Sequence, residues 1–433
     1  MTRILLTLAA LAAPTVSFAQ GSAKPISLDD AVALAKRNSP TMIQSRGTLR
    51  TSAAAVTSAK WAFAPTLGVS YGSSKGGGGN YVNGQLINQT SPEYSFSQSL
   101  NIGTISLWDG WQKISTLRQN RAQVTAAEAS EVLNEFTVVS NVKSQYYSIL
   151  RALEQEASAR LQLKQAQDQL NIAVTKLKAG TATAADTLTA TTSVGNAQLS
   201  ILNAQNSQNF ANAQLTRLTG SDFPVTAIVA DTTDPRPLAL SDAELYTLAE
   251  QGPAVRNAAA TLTTDKAAEQ GARATQWPSV NFGVSYSRNN KDKNYDFGAG
   301  QMNYSWGLNL GASYQIWNNY QRESGIIRAK VNTDNADANL RESKLTARQN
   351  LTQQLGNLRT AIEQIRIGRI QLAAAEENLR ITQQRYQLGV GLLIDLTTAQ
   401  NNLNTARTNL VGFRFDARNA RAQIEGLIGH ELQ

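Results

Sequence analysis

The sequence has no cysteine and only one histidine among its 433 residues. The absence of cysteine excludes disulfides, thiolate metal sites, catalytic thiols and a lipid-attached cysteine. Because His430 is the only histidine, a Ser-His-Asp triad or a histidine metal site would depend on that residue alone. The glycine run Gly76–Gly79 lies in a predicted hairpin rather than between a strand and a helix, so it does not resemble a phosphate loop. We expect no enzyme activity, no cofactor and no metal.

Long apolar runs are also missing. The body of the chain has no apolar stretch of about 18 residues, which excludes a transmembrane helix there. Residues 1–19 have the pattern of a secretory signal, with Arg3, an apolar stretch Ile4–Ala13 and the small-x-small sequence Ser17-Phe18-Ala19. We expect the mature chain to begin at Gln20. An N-terminal membrane anchor is disfavoured because the apolar stretch is too short.

Charge is not concentrated at any point along the chain. The formal net charge is +8, but lysine and arginine are scattered without a dense basic run, as on an ordinary solvated surface. We therefore do not expect nucleic acid as a partner.

Glycine and proline are absent from the 69 residues between Gly110 and Gly180. Good helix formers fill this stretch, which predicts a long helix over 111–179, about 100 Å in length at about 1.5 Å per residue. Its apolar residues recur mostly at three- and four-residue spacing, so a stripe should face a partner helix. The stripe comprises Ile114, Leu117, Val124, Phe136, Val139, Val142, Tyr146, Ile149, Leu153, Leu170 and Leu177.

The second half of the chain repeats the first. Ser27–Ala35 resembles Ser241–Ala249. Four further pairs share one offset: Trp108 and Trp317, Gly180 and Gly389, Asp186 and Asp395, Gly220 and Gly429. These landmarks predict two structural repeats, 20–220 and 241–433, joined by a non-helical connector at 221–240.

Each repeat predicts the same order of elements. A helical segment is followed by a β-hairpin (64–107 or 278–316), a long helix (111–179 or 318–388), a tip turn and a further helix (184–219 or 393–428). In the hairpins, apolar residues alternate with serine, glycine and asparagine, which predicts four strands of about eight to eleven residues suited to a bilayer. Polar, glycine-rich loops are expected at 73–90 and 288–303. A half-buried soluble hairpin is the alternative.

Tryptophan favours the membrane interpretation. Five of the six tryptophans lie at predicted strand–helix junctions, where an apolar ring with a polar N–H suits a bilayer interface. They are Trp61, Trp108, Trp111, Trp277 and Trp317. Four strands cannot close a barrel, and open edges in lipid leave backbone groups unpaired, so the chain should oligomerise. The small inward residues suit a wet lumen and favour more than two chains.

The tandem architecture and two tip motifs resemble the TolC family of outer-membrane efflux proteins. The motifs are Leu177-Lys178-Ala179-Gly180 to Asp186-Thr187-Leu188, and Tyr386-Gln387-Leu388-Gly389 to Asp395-Leu396. The resemblance covers essentially the whole mature chain. It implies a mainly α fold with membrane β: long antiparallel coiled-coil helices forming a periplasmic tunnel, and four strands per chain in a trimeric twelve-stranded barrel. The implied location is the outer membrane of a Gram-negative-type bacterium.

The resemblance also implies partners. These are two further copies of the chain in a homotrimer, outer-membrane lipid, a periplasmic adaptor protein and an inner-membrane transporter of the RND, ABC or MFS type. The adaptor-contact residues at the tip would be Lys178, Gly180, Thr181, Leu388, Gly389 and Val390.

The same resemblance implies a gate at the tunnel entrance. Asp395 would face the constriction and Tyr386 would help to hold it shut. The other gate residues would be Gly389, Arg385, Asp186 and Gly180. In the family, the position of Asp186 is linked to an arginine two residues after the second tip glycine, but Gly391 occupies that position here. Either Arg385 replaces that link or the gate is weaker.

The two tip aspartates also have a simpler interpretation. Each lies in the first turn of a predicted helix, where a carboxylate complements the helix dipole and the free N–H groups. In a trimer, however, Asp395 would appear three times around the axis and could form a cation-attracting ring. The sequence leaves both interpretations open.

Together with these patterns, the resemblance implies a passive outer-membrane exit duct of a tripartite efflux system for small molecules. A duct for type I protein secretion is the alternative within transport. A trimeric coiled-coil adhesin or spacer is disfavoured because each chain has two hairpins, and a general porin has no use for helices of about 100 Å.

Overall fold

The computed structural model describes residues 23–228, 238–292 and 302–432. In chain order its elements are β1 (Lys24–Ile26), α1 (Leu28–Asn38), α2 (Pro40–Trp61), β2 (Leu67–Val82), β3 (Gln85–Trp108), α3 (Gln112–Lys178), α4 (Ala184–Thr219), β4 (Val225–Ala227), α5 (Asp242–Glu250), α6 (Pro253–Ala274), β5 (Ser279–Asp292), β6 (Asn303–Ser313), α7 (Gln321–Gln387) and α8 (Leu393–Ile428). The chain is mostly helical, as predicted. The predicted signal, 1–19, falls outside the described residues. No helix in the described ranges is long and apolar enough to cross a bilayer.

The chain forms two compact units, each assembled from distant segments. The first comprises Met1–Ser39, Val138–Arg236 and Asn357–Ala422, and the second comprises Pro40–Thr137, Pro237–Gly356 and Gln423–Gln433. Each unit therefore takes segments from both predicted repeats, and α3 and α7 contribute residues to both units. The repeat boundaries describe a relation within the sequence, and their use as domain boundaries stays a prediction.

The short helices α1 and α5 begin at serine caps. The Ser27 hydroxyl accepts the Asp30 N–H, and the Ser241 hydroxyl accepts the Glu244 N–H. At α5 the Glu244 carboxylate also accepts the Ser241 N–H at 2.9 Å, which completes a capping box. The caps give a physical reason for the serine–x–x–acid pattern that begins both similar segments.

In the first unit, α3 and α4 each bury alanine at seven-residue spacing, which forms a seam of the kind found in coiled coils. The alanines are Ala152, Ala159, Ala166 and Ala173 of α3, and Ala190, Ala197, Ala204 and Ala211 of α4, all at most 8% exposed. The predicted apolar stripe of α3 is correct at Val142, Tyr146 and Ile149, which are buried. It is wrong at Leu177, which is 38% exposed, because alanine rather than leucine occupies the seam near the end of α3.

A pair of short parallel strands, β1 with β4, was not predicted from the sequence. Tyr146 of α3 connects them: its hydroxyl lies 3.1 Å from the Ile26 carbonyl oxygen and accepts the Ile228 N–H at 3.1 Å. The ring is 4% exposed, and burial raises the pKa of Tyr146. The N-terminal strand and the first part of the connector are thereby tied to the long helix.

In the second unit, β2, β3, β5 and β6 form an antiparallel sheet in that order. β2 has 16 residues and β3 has 24, more than predicted. The predicted loop at 73–90 is wrong, because the strands continue to a two-residue turn at Asn83 and Gly84. Both residues have positive φ, +51° and +78°, which suits a tight hairpin turn. β5 extends into the other predicted loop as far as Asp292, and 293–301 lie outside the described residues.

The two faces of the sheet differ in chemistry. One face is lined with exposed apolar side chains; Val69, Leu308 and Leu310 are examples. The other face carries serine hydroxyls that hydrogen-bond across neighbouring strands, in the pairs Ser70–Ser99, Ser279–Ser313 and Ser287–Ser305. β2 and β6 are the outer strands, and each has one neighbour within the described sheet.

Replacing Tyr146 with Phe should loosen the β1–β4 pair. The change removes the hydroxyl that accepts the Ile228 N–H at 3.1 Å. Because that N–H also donates to the Ile26 carbonyl at 3.2 Å, the loss should cost about 0.5–1.5 kcal/mol of unfolding free energy. Thermal unfolding followed by circular dichroism measures the cost, and proteolysis after β4 reports the local release. Tyr147→Phe is the control, since its ring remains beside Arg418. Equal stability of the two variants would contradict the prediction.

Candidate functional site

The predicted tip residues lie in two turns of the first unit, between α3 and α4 and between α7 and α8. Gly180 and Gly389 have φ of +73° and +80°, the left-handed conformation that commonly ends a helix. The turns close by similar backbone bonds: the Thr181 N–H donates to the Lys176 carbonyl at 2.9 Å, and the Val390 N–H donates to the Arg385 carbonyl at 3.0 Å. A side chain at either glycine would be strained.

Asp186 forms the capping box of α4 with Thr183. Its carboxylate accepts the Thr183 N–H and hydroxyl, both at 2.9 Å, and the Thr183 hydroxyl accepts the Asp186 N–H at 3.3 Å. The carboxylate therefore stabilises the start of its own helix.

Asp395 has a different environment. It lies in the first turn of α8 and is exposed, while its neighbours Leu393 and Leu396 are buried. Those leucines belong to a core cluster with Leu379, Tyr386, Ala399 and Leu403. The packing of α8 thus directs Asp395 away from the core of the chain.

Tyr386 is buried in that cluster and is 6% exposed. Burial raises the pKa of Tyr386, and the negative charge of Asp186 raises it further. The ammonium of Lys176, in the last turn of α3, lies 3.9 Å from the centre of the Tyr386 ring and donates to the Tyr386 carbonyl at 2.7 Å. The structure therefore brings Tyr386, Asp186 and Lys176 together.

Lys176 was not among the predicted site residues. The sequence signal was weak, because a lysine in the last turn of a helix usually complements the helix dipole from solvent. Its partner is 210 residues away in the sequence, so local patterns could not identify the contact.

Gly391 fits closely against the end of α7. Its N–H donates to the Arg385 carbonyl at 3.1 Å. A Cβ atom at this position would lie 3.0 Å from the Tyr386 nitrogen and 3.2 Å from the Arg385 Cβ. A side chain at position 391 would therefore press on the end of α7, whose atoms would have to move by a few tenths of an ångström. The Arg385 side chain is exposed.

The predicted adaptor-contact residues are exposed at the two turns: Lys178, Gly180, Thr181, Leu388, Gly389 and Val390. The α7–α8 turn adds two exposed apolar residues that were not predicted, Leu392 and Ile394. With Leu388 and Val390 they make an apolar patch at this turn, where exposed side chains of this type mark interaction surfaces.

The predicted interface aromatics lie where the strands meet the helices. Trp61 ends α2, Trp108 ends β3, Trp111 precedes α3, Trp277 precedes β5 and Trp317 lies between β6 and α7. The rings of Trp108 and Trp111 meet edge to face, with centroids 5.2 Å apart. All five are at least 37% exposed in the single chain.

No group of three or more histidine, cysteine or acidic side chains within the described ranges could hold a metal ion.

Known proteins share this architecture. The crystal structure of the Campylobacter jejuni CmeC outer membrane channel matches with a TM-score of 0.79 over 94% of this chain and 86% of CmeC, at 18% sequence identity. OpmQ of Pseudomonas aeruginosa, a pyoverdine export outer membrane protein, is 24% identical over 337 residues, 77% of this chain and 70% of OpmQ. Protein CyaE of Bordetella pertussis is 26% identical over 307 residues; these cover 70% of this chain but 64% of CyaE.

A family model supports the same relationship across both halves of the sequence. The model for outer membrane efflux proteins matches residues 31–221 and 245–430, which together include both hairpins, both tip turns and all four of the longest helices. The resemblance stated from the tip motifs is thereby confirmed: the chain belongs to the outer membrane efflux protein family.

Proposed function

We propose that this chain is the outer-membrane channel of a tripartite efflux system. It would conduct small molecules passively to the exterior from a periplasmic adaptor and an inner-membrane pump of the RND, ABC or MFS type. One observation carries the proposal: a single chain of this family joins a four-stranded sheet with two open edges to two 67-residue helices. The strands suit a bilayer, and the helices supply the length that a periplasmic passage requires.

The open sheet edges support assembly into a trimer. β2 and β6 each have one neighbour in the described sheet, and an open edge in lipid leaves N–H and C=O groups unpaired. Three copies provide twelve strands, enough for a barrel with a lumen. The serine-rich face would line that lumen, and the apolar face with the five tryptophans at its border would face lipid.

Small molecules are the favoured class of cargo. OpmQ is named for pyoverdine export, and this chain aligns with 70% of it, so its activity is only a guide to this chain.

Deleting the gene should increase the sensitivity of the bacterium to toxic small molecules and leave its secreted proteins unchanged, because the duct is the exit step. A susceptibility panel beside an assay of secreted proteins measures both. Complementation with the intact gene is the control. Loss of a secreted protein without increased sensitivity to toxic small molecules would contradict small-molecule efflux as the function and favour protein secretion.

The mature chain should be a trimer in mild detergent, because only closure between copies pairs the edges of β2 and β6. Native mass spectrometry counts the chains directly. A stable monomer that retains its β signal in circular dichroism would contradict assembly as a requirement for the barrel.

Replacing Asp395 with Ala should weaken cation selectivity and block by multivalent cations, because three like charges at a narrow entrance attract cations. The trimer should remain stable, since a carboxylate at a helix start contributes only about 0.3–1 kcal/mol. Planar-bilayer recordings measure both properties. Asp186→Ala is the matched control: it removes a capping box at a cost of about 0.5–2 kcal/mol and should change selectivity less. Full cation selectivity in Asp395→Ala would leave Asp395 as a helix-end stabiliser only.

A further inference from the structure

One ammonium group joins the two tip turns of the protomer. Lys176 belongs to the last turn of α3, immediately before the α3–α4 turn. Its Nζ donates to the Tyr386 carbonyl at 2.7 Å and lies 3.9 Å from the centre of the Tyr386 ring. Tyr386 lies in the last turn of α7, immediately before the α7–α8 turn. A single side chain thus makes two contacts from one turn to the other.

The chemistry of the acceptor favours a cation at this point. The Tyr386 carbonyl is one of the last four of α7, and these form the negative end of the helix dipole. It already accepts the Gly389 N–H at 3.2 Å, so the ammonium occupies its second acceptor position. The aromatic face attracts the same charge, and partial burial of the contact strengthens both interactions.

Tyr386 transmits this contact to the rest of the α7–α8 turn. Its ring is buried against a core cluster that includes Leu393 and Leu396 of α8. The Gly391 N–H holds the turn to the Arg385 carbonyl. Holding Tyr386 therefore holds the start of α8 as well, including the exposed Asp395.

The other tip groups have different roles. The Asp186 carboxylate is occupied by the Thr183 N–H and hydroxyl within its own turn. Gly391 has no side chain, and a Cβ there would press on the end of α7. Further along α3, Gln169 donates to the Thr397 hydroxyl of α8 at a longer distance, 3.4 Å.

We propose that Lys176 is a positioning residue that clamps the α7–α8 turn to the α3–α4 turn in each protomer, and that this clamp holds the channel entrance in its resting, narrow state. The inference rests on the proposed function. Both contacts of Lys176 break if the α7–α8 turn moves outward while the α3–α4 turn stays in place. Opening of the entrance must therefore overcome both contacts in each copy of the chain.

Planar-bilayer recordings of the full-length trimer test the clamp. Lys176→Met keeps the apolar stem and removes the charge. We expect about a tenfold or greater rise in the fraction of time spent in the high-conductance state, because one lost charged hydrogen bond shifts an equilibrium by about that factor. Lys164→Met is the matched control: it removes the same charge from an exposed side chain of the same helix, outside the tip turns. Equal behaviour of the two variants and the unmodified protein would overturn the proposal.

A distance measurement tests the clamp independently of conduction. The chain contains no cysteine, so Ala179→Cys and Leu388→Cys place one spin label on each turn without competing sites. Co-assembly with excess unlabelled chain restricts the measured distances to single protomers. Pulsed electron paramagnetic resonance should show a longer or broader label-to-label distance with Lys176→Met than with Lys164→Met. Lys176→Gln provides a second variant, with an intermediate change, if Lys176→Met fails to assemble.

The two measurements separate this proposal from the proposed function. A labelled protein that never conducts, but whose tip distance still depends on Lys176, supports the clamp and contradicts the channel. If the protein conducts but Lys176→Met changes neither the tip distance nor the conductance, the result supports the proposed channel function and contradicts the clamp.

Discussion

A β-strand in lipid is stable only when every backbone N–H and C=O group has a partner. The central strands β3 and β5 each have a neighbour on both sides in the described sheet, whereas in the proposed barrel β2 and β6 would take their outer neighbours from other copies of the chain. Pairing between copies would then determine the number of strands, the presence of a lumen and the number of helices together. Every copy that adds four strands would also add two helices of 67 residues and two of 36.

The helices satisfy a different constraint. In the first unit they pack along seams of small side chains, and on α8 the buried positions alternate at three- and four-residue intervals. A seam of alanine gives little hydrophobic free energy per residue but continues over many turns. Stability is thus distributed along the helices, and the tips can be held by a few specific contacts. Enlarging a seam alanine would overpack the bundle locally.

Local patterns predicted the parts of the fold that depend on local physics. Serine caps, breaker-free stretches and the alternation of apolar and small residues all have short-range causes. The outer half of the β2–β3 hairpin was missed because residues 73–90 have the composition of a loop, and pairing with a neighbouring strand overrides composition. The β1–β4 pair depends on Tyr146, 120 residues from Ile26, and Lys176 depends on a carbonyl 210 residues away. Neither contact leaves a signal in nearby sequence.

The length of the β2–β3 hairpin has a further consequence. A tilted strand crosses a bilayer with about 9–11 residues, whereas β2 has 16 and β3 has 24. The hairpin meets the helices at its Leu67 and Trp108 ends, so in the proposed barrel the excess would lie toward Asn83 and Gly84, outside the membrane. There, lipid would not require an apolar residue at every second position. This outer end of the hairpin would therefore tolerate changes of sequence that the membrane-spanning part would not, and it would be exposed to antibodies at the cell surface.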